Sequence, residues 1–242
     1  MPTEGGASCD RPWWGKGCFE NIAIGSTFSS MKIPAFLFLL FAPVMVFARQ
    51  DAKGFFNKHA DIGNPQKAGD AQYNNLTQTY TLKGAGYNIW FNRDEFQYAW
   101  KKLKGDFILT ANFAFIGQGA NPHRKIGWMI RESDEADAAH ISAVLHGDGL
   151  TVLQWRLLKG ANMRDPEDEI FFPGKNVQTI QLERSGKNIT MRVAHPGESL
   201  QMVGVKEMPD MPDSVLAGLF ICSHDTSVVE EARVWNVQVR KP

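Results

Sequence analysis

From about Tyr73 onward the chain alternates apolar and polar residues with a period of two, in short runs separated by turn-forming residues. The run 125–131 shows this most clearly, since one of its faces holds only large apolar side chains, those of Ile126, Trp128 and Ile130. The opposite face holds Gly127, Met129 and Arg131. This pattern predicts a strand that packs on one side and presents polar groups on the other.

Similar runs predict strands at residues 77–82, 87–91, 96–101, 107–115, 125–131, 140–145, 151–158, 177–184, 188–195, 216–222 and 232–239. Two pairs of these runs predict hairpins, around the turns 146–149 and 185–186, because glycine and aspartate tolerate the positive φ of tight turns. No window sustains a 3.6-residue period. About a dozen strands in two layers predict one all-β domain, a two-sheet jelly-roll sandwich.

A targeting signal precedes this domain. Met31-Lys32, the apolar run 33–47 and the small residues ending at Ala48 are typical of a secretory signal peptide. The run is shorter than the roughly 20 residues that a transmembrane helix needs. We therefore expect a signal peptide at 31–48 cleaved after Ala48, a mature domain at 49–242, and a secreted or periplasmic protein that is not an integral membrane protein after cleavage. An uncleaved membrane anchor is the alternative, and residues 1–30 are expected to be a mis-assigned upstream extension.

The charge of the chain bears on which partners it is expected to bind. The 26 Lys and Arg residues balance 26 Asp and Glu residues, so the chain lacks the basic excess of a nucleic-acid-binding protein, and no nucleic-acid partner is expected.

Two of the three cysteines, Cys9 and Cys18, precede the predicted cleavage site. Cys222 would then be alone in the mature chain, without an internal disulfide. Because it lies in an apolar run, we expect it to be buried rather than catalytic.

Several short motifs occur in an order that resembles a known family. They are Asp61-Ile62-Gly63, Asn88-Ile89-Trp90, Gly127-Trp128-Met129-Ile130-Arg131, His140 before a Gly-Asp-Gly turn, and Gly218-Leu219-Phe220 running to Ser223-His224. Over residues 55–240 the chain resembles secreted bacterial concanavalin-A-like domains, related to the regulation-of-enolase-type domain of unknown function. The resemblance implies a lectin- or glucanase-like jelly roll that handles sugars, but it supplies no catalytic pair. The strand 125–131 is also similar to one in three-keto-disaccharide hydrolases and lyases.

Polar side chains on three successive predicted strands are expected to share one sheet face. They are Arg131, His140, Ser142, Gln154 and Arg156, and Trp90 follows a glycine-rich turn before them. Guanidinium, imidazole and amide groups suit sugar hydroxyls, which both donate and accept hydrogen bonds, and an indole ring packs on the apolar face of a pyranose. We expect these six residues to bind an oligosaccharide or polysaccharide. The alternative is that the polar residues are cross-strand pairs of an exposed sheet.

Two other groups of residues suggest chemistry. The run Glu132–Asp137 partly resembles the laminarinase pattern of carboxylates. A retaining glycosidase needs two carboxyl groups about 5 Å apart. The favoured interpretation of this run is a solvated loop. Asp61 is a candidate ligand of a structural calcium ion, or else a turn residue. No other cofactor is expected, because His59, His123, His195 and His224 lack the spacing of zinc ligands.

Three functions follow from these patterns. The first is a non-catalytic carbohydrate-binding protein, and the second is a small glycoside hydrolase or lyase of the same fold. The third is an envelope domain that binds another protein. Convergence of two ionisable groups in one concave pocket, in a geometry suited to proton transfer, would favour an enzyme over a binding module.

Overall fold

In the computed structural model, residues 54–242 form sixteen strands and no α-helix. The strands are β1 (Lys58–Ile62), β2 (Asp70–Asn74), β3 (Thr79–Gly86), β4 (Ile89–Trp90), β5 (Arg93–Asp94), β6 (Phe96–Lys104), β7 (Phe107–Ile116), β8 (Lys125–Arg131), β9 (His140–His146), β10 (Thr151–Arg156), β11 (Glu169–Phe172), β12 (Thr179–Ser185), β13 (Asn188–Ala194), β14 (Gln201–Glu207), β15 (Ser214–Cys222) and β16 (Asp225–Arg240). The predicted upstream extension 1–30, the signal peptide 31–48 and its cleavage after Ala48 lie outside the described residues and stay predictions.

Two seven-stranded antiparallel sheets form the sandwich. The first sheet has the order β1-β6-β15-β8-β9-β10-β11, and the second has the order β14-β13-β12-β7-β16-β3-β2. Strands β4 and β5 form a separate two-stranded hairpin. The predicted all-β, two-sheet jelly-roll sandwich is therefore confirmed. Between residues 54 and 242 no helix is long and apolar enough to span a membrane.

Apart from the two-residue strand β5 of the hairpin, the strands that the alternation pattern missed are at sheet edges. β1 and β11 are the edges of the first sheet, and β14 and β2 are the edges of the second. Most of their side chains are exposed or half-buried, so these strands need no regular apolar face. The interior strands, which have a neighbour on each side, all overlap predicted runs, although β3 continues past its predicted run to Gly86 and β16 begins at Asp225, before its predicted run 232–239.

The core between the sheets is organised around Trp128. Its indole packs edge-on against Phe113 and at a tilt against Phe56, with ring centroids 5.9 and 6.0 Å away. Its Nε1–H donates to the carbonyl of Ile180 on the opposite sheet, at 3.1 Å. A buried indole N–H needs such a partner. The predicted apolar face of the strand 125–131 thus faces the inter-sheet core, as expected.

The other face of the first sheet carries a second apolar layer, which the sequence did not indicate. Its buried members are Ile62, Ile89, Phe96, Tyr98, Trp100, Met129, Val144, Val152, Phe220 and Cys222. Cys222 is a free, fully buried cysteine, which confirms the expectation for this residue. Burial raises the pKa of its thiol to about 12. We call this side of the sheet the outer face.

Gly127 lies on the outer face in a backbone conformation that side chains rarely adopt, with φ of +156°. A Cβ atom there would lie 1.9 Å from the carbonyl oxygen of Ala143 on the neighbouring strand. The missing side chain therefore makes room for the backbone of β9 rather than for a ligand.

We expect Gly127→Ala to lower the free energy of unfolding by at least about 2 kcal/mol, since the new methyl group displaces backbone within a sheet. The matched control is Gly105→Ala, because Gly105 also has a positive φ, of +71°, but has no atom within 4 Å of the added Cβ. The control should lose only about 1 kcal/mol, from conformational strain. Urea denaturation of both variants measures the difference, and equal losses would contradict the steric explanation.

Candidate ligand-binding cleft

The register of the first sheet brings five of the predicted site residues onto one face. Arg131 on β8 pairs with His140 on β9, and His140 pairs with Arg156 on β10. In the next row Ser142 pairs with Gln154. These residues therefore lie together on the outer face, as the alternation pattern predicted.

Three of these side chains form a buried cluster around a carboxylate. Arg131 Nη1 lies 2.7 Å from Asp94 Oδ2, and Arg156 binds both Asp94 oxygens, at 2.7 and 2.8 Å. His140 Nε2 lies 3.9 Å from Asp94 Oδ2. We call Asp94, Arg131, His140 and Arg156 the Asp94 cluster. The exposure of each of these residues is 1% or less.

Both guanidinium groups also hold the loops that cover them. Arg131 donates to the carbonyls of Ser133 and Glu135, and Arg156 donates to those of Ala138, Ala161 and Phe91. Since Asp94 ends the β4–β5 hairpin, the cluster attaches this hairpin to the sheet. Removing one partner from such a buried ion pair typically costs about 3–5 kcal/mol.

Four of the six residues predicted to bind a sugar, Arg131, His140, Ser142 and Arg156, are buried. Ser142 is fully buried, and its hydroxyl donates to the Gln154 carbonyl. In this geometry a ligand reaches none of the four side chains, because the hairpin and the loops around it cover them. Their predicted direct contact with a sugar stays untested, and the geometry gives the Asp94 cluster a supporting role instead.

An open cleft of about 270 Å³ lies on the same face. Two predicted site residues, Trp90 and Gln154, line it. The other lining residues, none of which was among the six predicted to bind a sugar, are Asn88, His123, Lys125, His146, Leu150, Asp165, Glu169, Phe171 and His224. The open part of the outer face is therefore lined by Gln154 and Trp90 but not by Arg131.

A chain of hydrogen bonds crosses this cleft. Lys125 Nζ donates to the Ile89 carbonyl at 3.2 Å and to Gln154 Oε1 at 3.5 Å. Gln154 Nε2 in turn donates to Glu169 Oε2 at 3.1 Å. The Gln154 amide thus links an amine to a carboxyl group and has its orientation set by both.

The two ionisable ends of this chain are shifted towards their neutral forms. Burial lowers the pKa of Lys125 to about 8. Burial also raises the pKa of Glu169, and the nearby Asp165 carboxyl acts in the same direction. Paired groups whose environments perturb their pKa values in this way are typical of sites that bind or transfer protons.

Three histidines converge at the cleft from segments far apart in sequence. The ring of His123 lies 6.0 Å from that of His146 and 5.6 Å from that of His224, centroid to centroid. Asn121 Nδ2 donates to the carbonyl of His224 at 3.0 Å and lies 3.4 Å from the Nδ1 atom of the same residue. His146 is 5% exposed, and neither of its ring nitrogens has a hydrogen-bond partner in the protein.

The structure gives the predicted calcium ligand another role. Both carboxylate oxygens of Asp61 accept from the amide of Gly69, at 2.9 and 3.1 Å, so this side chain closes the loop between β1 and β2. Between residues 54 and 242 no three His, Cys, Asp or Glu side chains are grouped so as to hold a metal ion. The calcium prediction stays untested.

The acidic run Glu132–Asp137 is a loop, as the favoured interpretation had it. Glu132 Oε1 accepts from the Ala139 amide, and Glu135 and Asp137 both pair with Lys159 at the surface. None of these carboxylates lines the cleft.

Comparison with solved structures agrees with the fold. A functionally unknown protein from Saccharomyces cerevisiae matches 76% of this chain and 96% of its own, with 13% identity and a TM-score of 0.56. Bacteroides ovatus xyloglucan PUL GH43B matches 68% of this chain and 33% of its own, with 11% identity and a TM-score of 0.48. Alginate lyase A1-II', of polysaccharide lyase family 7, matches 76% of this chain and 93% of its own, with 7% identity and a TM-score of 0.48.

At these identities a structural likeness shows the fold alone, and the likenesses with TM-scores below 0.5 add no argument about function. No family model matches the chain, and neither does any curated protein. The resemblance to regulation-of-enolase-type domains therefore stays a prediction.

His140 and His146 make the stability of the domain sensitive to acid. Burial lowers the pKa of His140 well below its usual range and that of His146 to about 2. Asp94, Arg131, Arg156 and Lys125 surround the first ring, and Lys125, His123 and His224 surround the second. In the unfolded chain both imidazoles bind a proton below about pH 6.5, whereas in the folded chain they do not. Stability is therefore full above that pH and falls below it.

We expect the free energy of unfolding to drop by about 4 kcal/mol between pH 7 and pH 5, which is about 1.4 kcal/mol per pH unit for each imidazole once it titrates in the unfolded chain. His140→Gln and His146→Gln should each remove about half of this slope, while the exposed His59→Gln should leave it unchanged. Urea denaturation across this range measures the slope. An unaltered slope in both buried-site variants would refute the assignment.

Proposed function

We propose that this chain is a carbohydrate-binding β-sandwich whose cleft on the outer face holds one sugar ring. The observation that carries the proposal is the hydrogen-bonded chain Lys125–Gln154–Glu169, which lies in an open cleft with aromatic residues in its lining. Amine, amide and carboxyl groups supply both donors and acceptors, which is what a ring bearing several hydroxyls requires.

The aromatic lining suits the apolar face of a sugar. Trp90 comes from the β4–β5 hairpin and is half-buried, and Phe171 comes from the edge strand β11 with 47% of its surface exposed. Flat rings of this kind pack on the C–H groups of a pyranose.

The volume of the cleft limits what it can hold. At about 270 Å³ it falls just below the range of about 300–1,000 Å³ that is typical of pockets for drug-sized ligands. We infer that the cleft accepts a single pyranose or furanose unit, with any further units of the chain outside it.

We expect Gln154→Ala and Trp90→Ala each to weaken sugar binding at least tenfold, because they remove the central hydrogen-bonding group and a stacking ring. Isothermal titration calorimetry against a panel of neutral, acidic and amino sugars measures the change. The matched control for Trp90 is Trp235→Ala, because Trp235 is also half-buried with a cation over its ring, but lies on the second sheet. Absence of binding to every sugar, or unchanged affinity in Gln154→Ala, would refute the proposal.

A second candidate function is supported by the pKa shifts within the same cleft. Burial lowers the pKa of Lys125 and raises that of Glu169, and one amide joins the two groups, so their neutral forms provide a proton acceptor and a proton donor. This pair favours a small glycoside hydrolase or lyase. The hypothesis of an envelope protein-interaction domain stays a prediction.

If the domain is an enzyme, the wild type should shorten an oligosaccharide that it binds, and Glu169→Gln should bind the same oligosaccharide while losing at least a hundredfold in rate. Chromatography of the reaction products over several days provides the measurement. Oligosaccharides that bind and remain intact would identify a binding module.

A further inference from the structure

Phe91 stands out among the residues that the cleft itself does not include. It lies at the tip of the β4–β5 hairpin, where Trp90 pairs with Arg93 and only Phe91 and Asn92 form the turn. Its φ is +53°. Two-residue hairpin turns normally place glycine, asparagine or aspartate at positions with positive φ, and a bulky residue there is a genuine outlier.

The phenyl ring gains little from folding that would offset this conformation. Phe91 is 48% exposed, whereas the side chains before the turn are directed inwards, with Ile89 buried and Trp90 half-buried. An exposed ring on an unfavourable backbone is not explained by packing.

The backbone of Phe91 is nevertheless held firmly from below. Its carbonyl oxygen accepts from Arg156 Nη2 at 3.1 Å, from Arg156 Nε at 3.4 Å and from the Met163 amide at 2.9 Å. Arg156 is itself fixed by two hydrogen bonds to the buried Asp94 carboxylate. The Asp94 cluster therefore sets the position of the Phe91 backbone.

We infer that Phe91 is a stacking platform for a second pyranose ring, belonging to an oligosaccharide whose first ring occupies the cleft beside Trp90. This inference rests on the proposed carbohydrate function and adds a subsite to it. Strained residues that the surrounding structure over-determines are concentrated at functional sites, and an exposed ring on a firmly held backbone is already placed for a sugar to pack on it. The limited volume of the cleft leaves a second sugar unit outside it, and Trp90, which lines the cleft, directly precedes Phe91 in the hairpin.

The test compares saccharides of one to four units, built from the sugar that binds the wild type best, by titration calorimetry. For the wild type, affinity should rise about three- to tenfold from one unit to two, which is the gain expected of one aromatic stacking contact. Phe91→Ala should abolish this rise and leave the affinity for the single sugar unchanged. Phe91→Trp should retain the rise.

Phe91→Gly separates a binding role from a purely structural one. Glycine adopts positive φ without strain, so this variant should unfold at a higher urea concentration than the wild type while still losing the gain with chain length. The control is Leu76→Ala, which truncates another exposed apolar side chain, 96% exposed, in the loop between β2 and β3. Leu76→Ala should change neither the urea concentration at which the protein unfolds nor the gain in affinity with saccharide length.

The outcomes distinguish this inference from the proposal on which it rests. If Phe91→Ala and Phe91→Gly bind every chain length as the wild type does, the subsite is refuted and the cleft proposal stands. If the wild type binds no saccharide, or if Gln154→Ala binds the single sugar normally, both fail.

Discussion

The interaction on which the cleft depends is the pairing of Asp94 with two guanidinium groups. All three side chains are removed from water, so their attraction has to compensate a large loss of hydration, and it does so through short, charge-assisted hydrogen bonds. Burial by itself would raise the pKa of Asp94. Because His140 stays neutral, it is the charges of Arg131 and Arg156 that hold this pKa below its usual range. The carboxylate remains ionised and keeps the hairpin on the sheet.

This arrangement explains why the outer face differs from that of a simple sandwich. The inner strands β8, β9 and β10 are buried on both faces, by the inter-sheet core on one side and by the second apolar layer and its covering loops on the other. The cleft is open between Trp90 of the hairpin and Glu169 and Phe171 of β11. The Asp94 cluster thus holds the hairpin in place at one side of this cleft.

A feature of the fold or of the cleft could be predicted from the sequence when it follows from the local alternation of apolar and polar residues. The interior strands were found because each must present an apolar face to the core, and the edge strands were missed because they need not. Alternation also placed Arg131, His140 and Gln154 on one face correctly. It could not show that Arg131 is buried, because its partner Asp94 comes from a hairpin 37 positions earlier in the chain. The three cleft histidines likewise meet only through the sheet order, since they lie on or beside strands that are distant in sequence.

The buried Cys222 thiol makes local opening of the outer face measurable by chemical labelling. It is the one cysteine between residues 54 and 242, and its thiol is fully buried in the second apolar layer, beside Gly86 at the start of the segment that leads to the hairpin. A protonated, shielded thiol reacts with an external reagent only when the structure around it opens. The rate at which a reagent labels Cys222 therefore reports how often this layer opens locally. A ligand held between the hairpin and the sheet would lower that rate without contacting the cysteine itself.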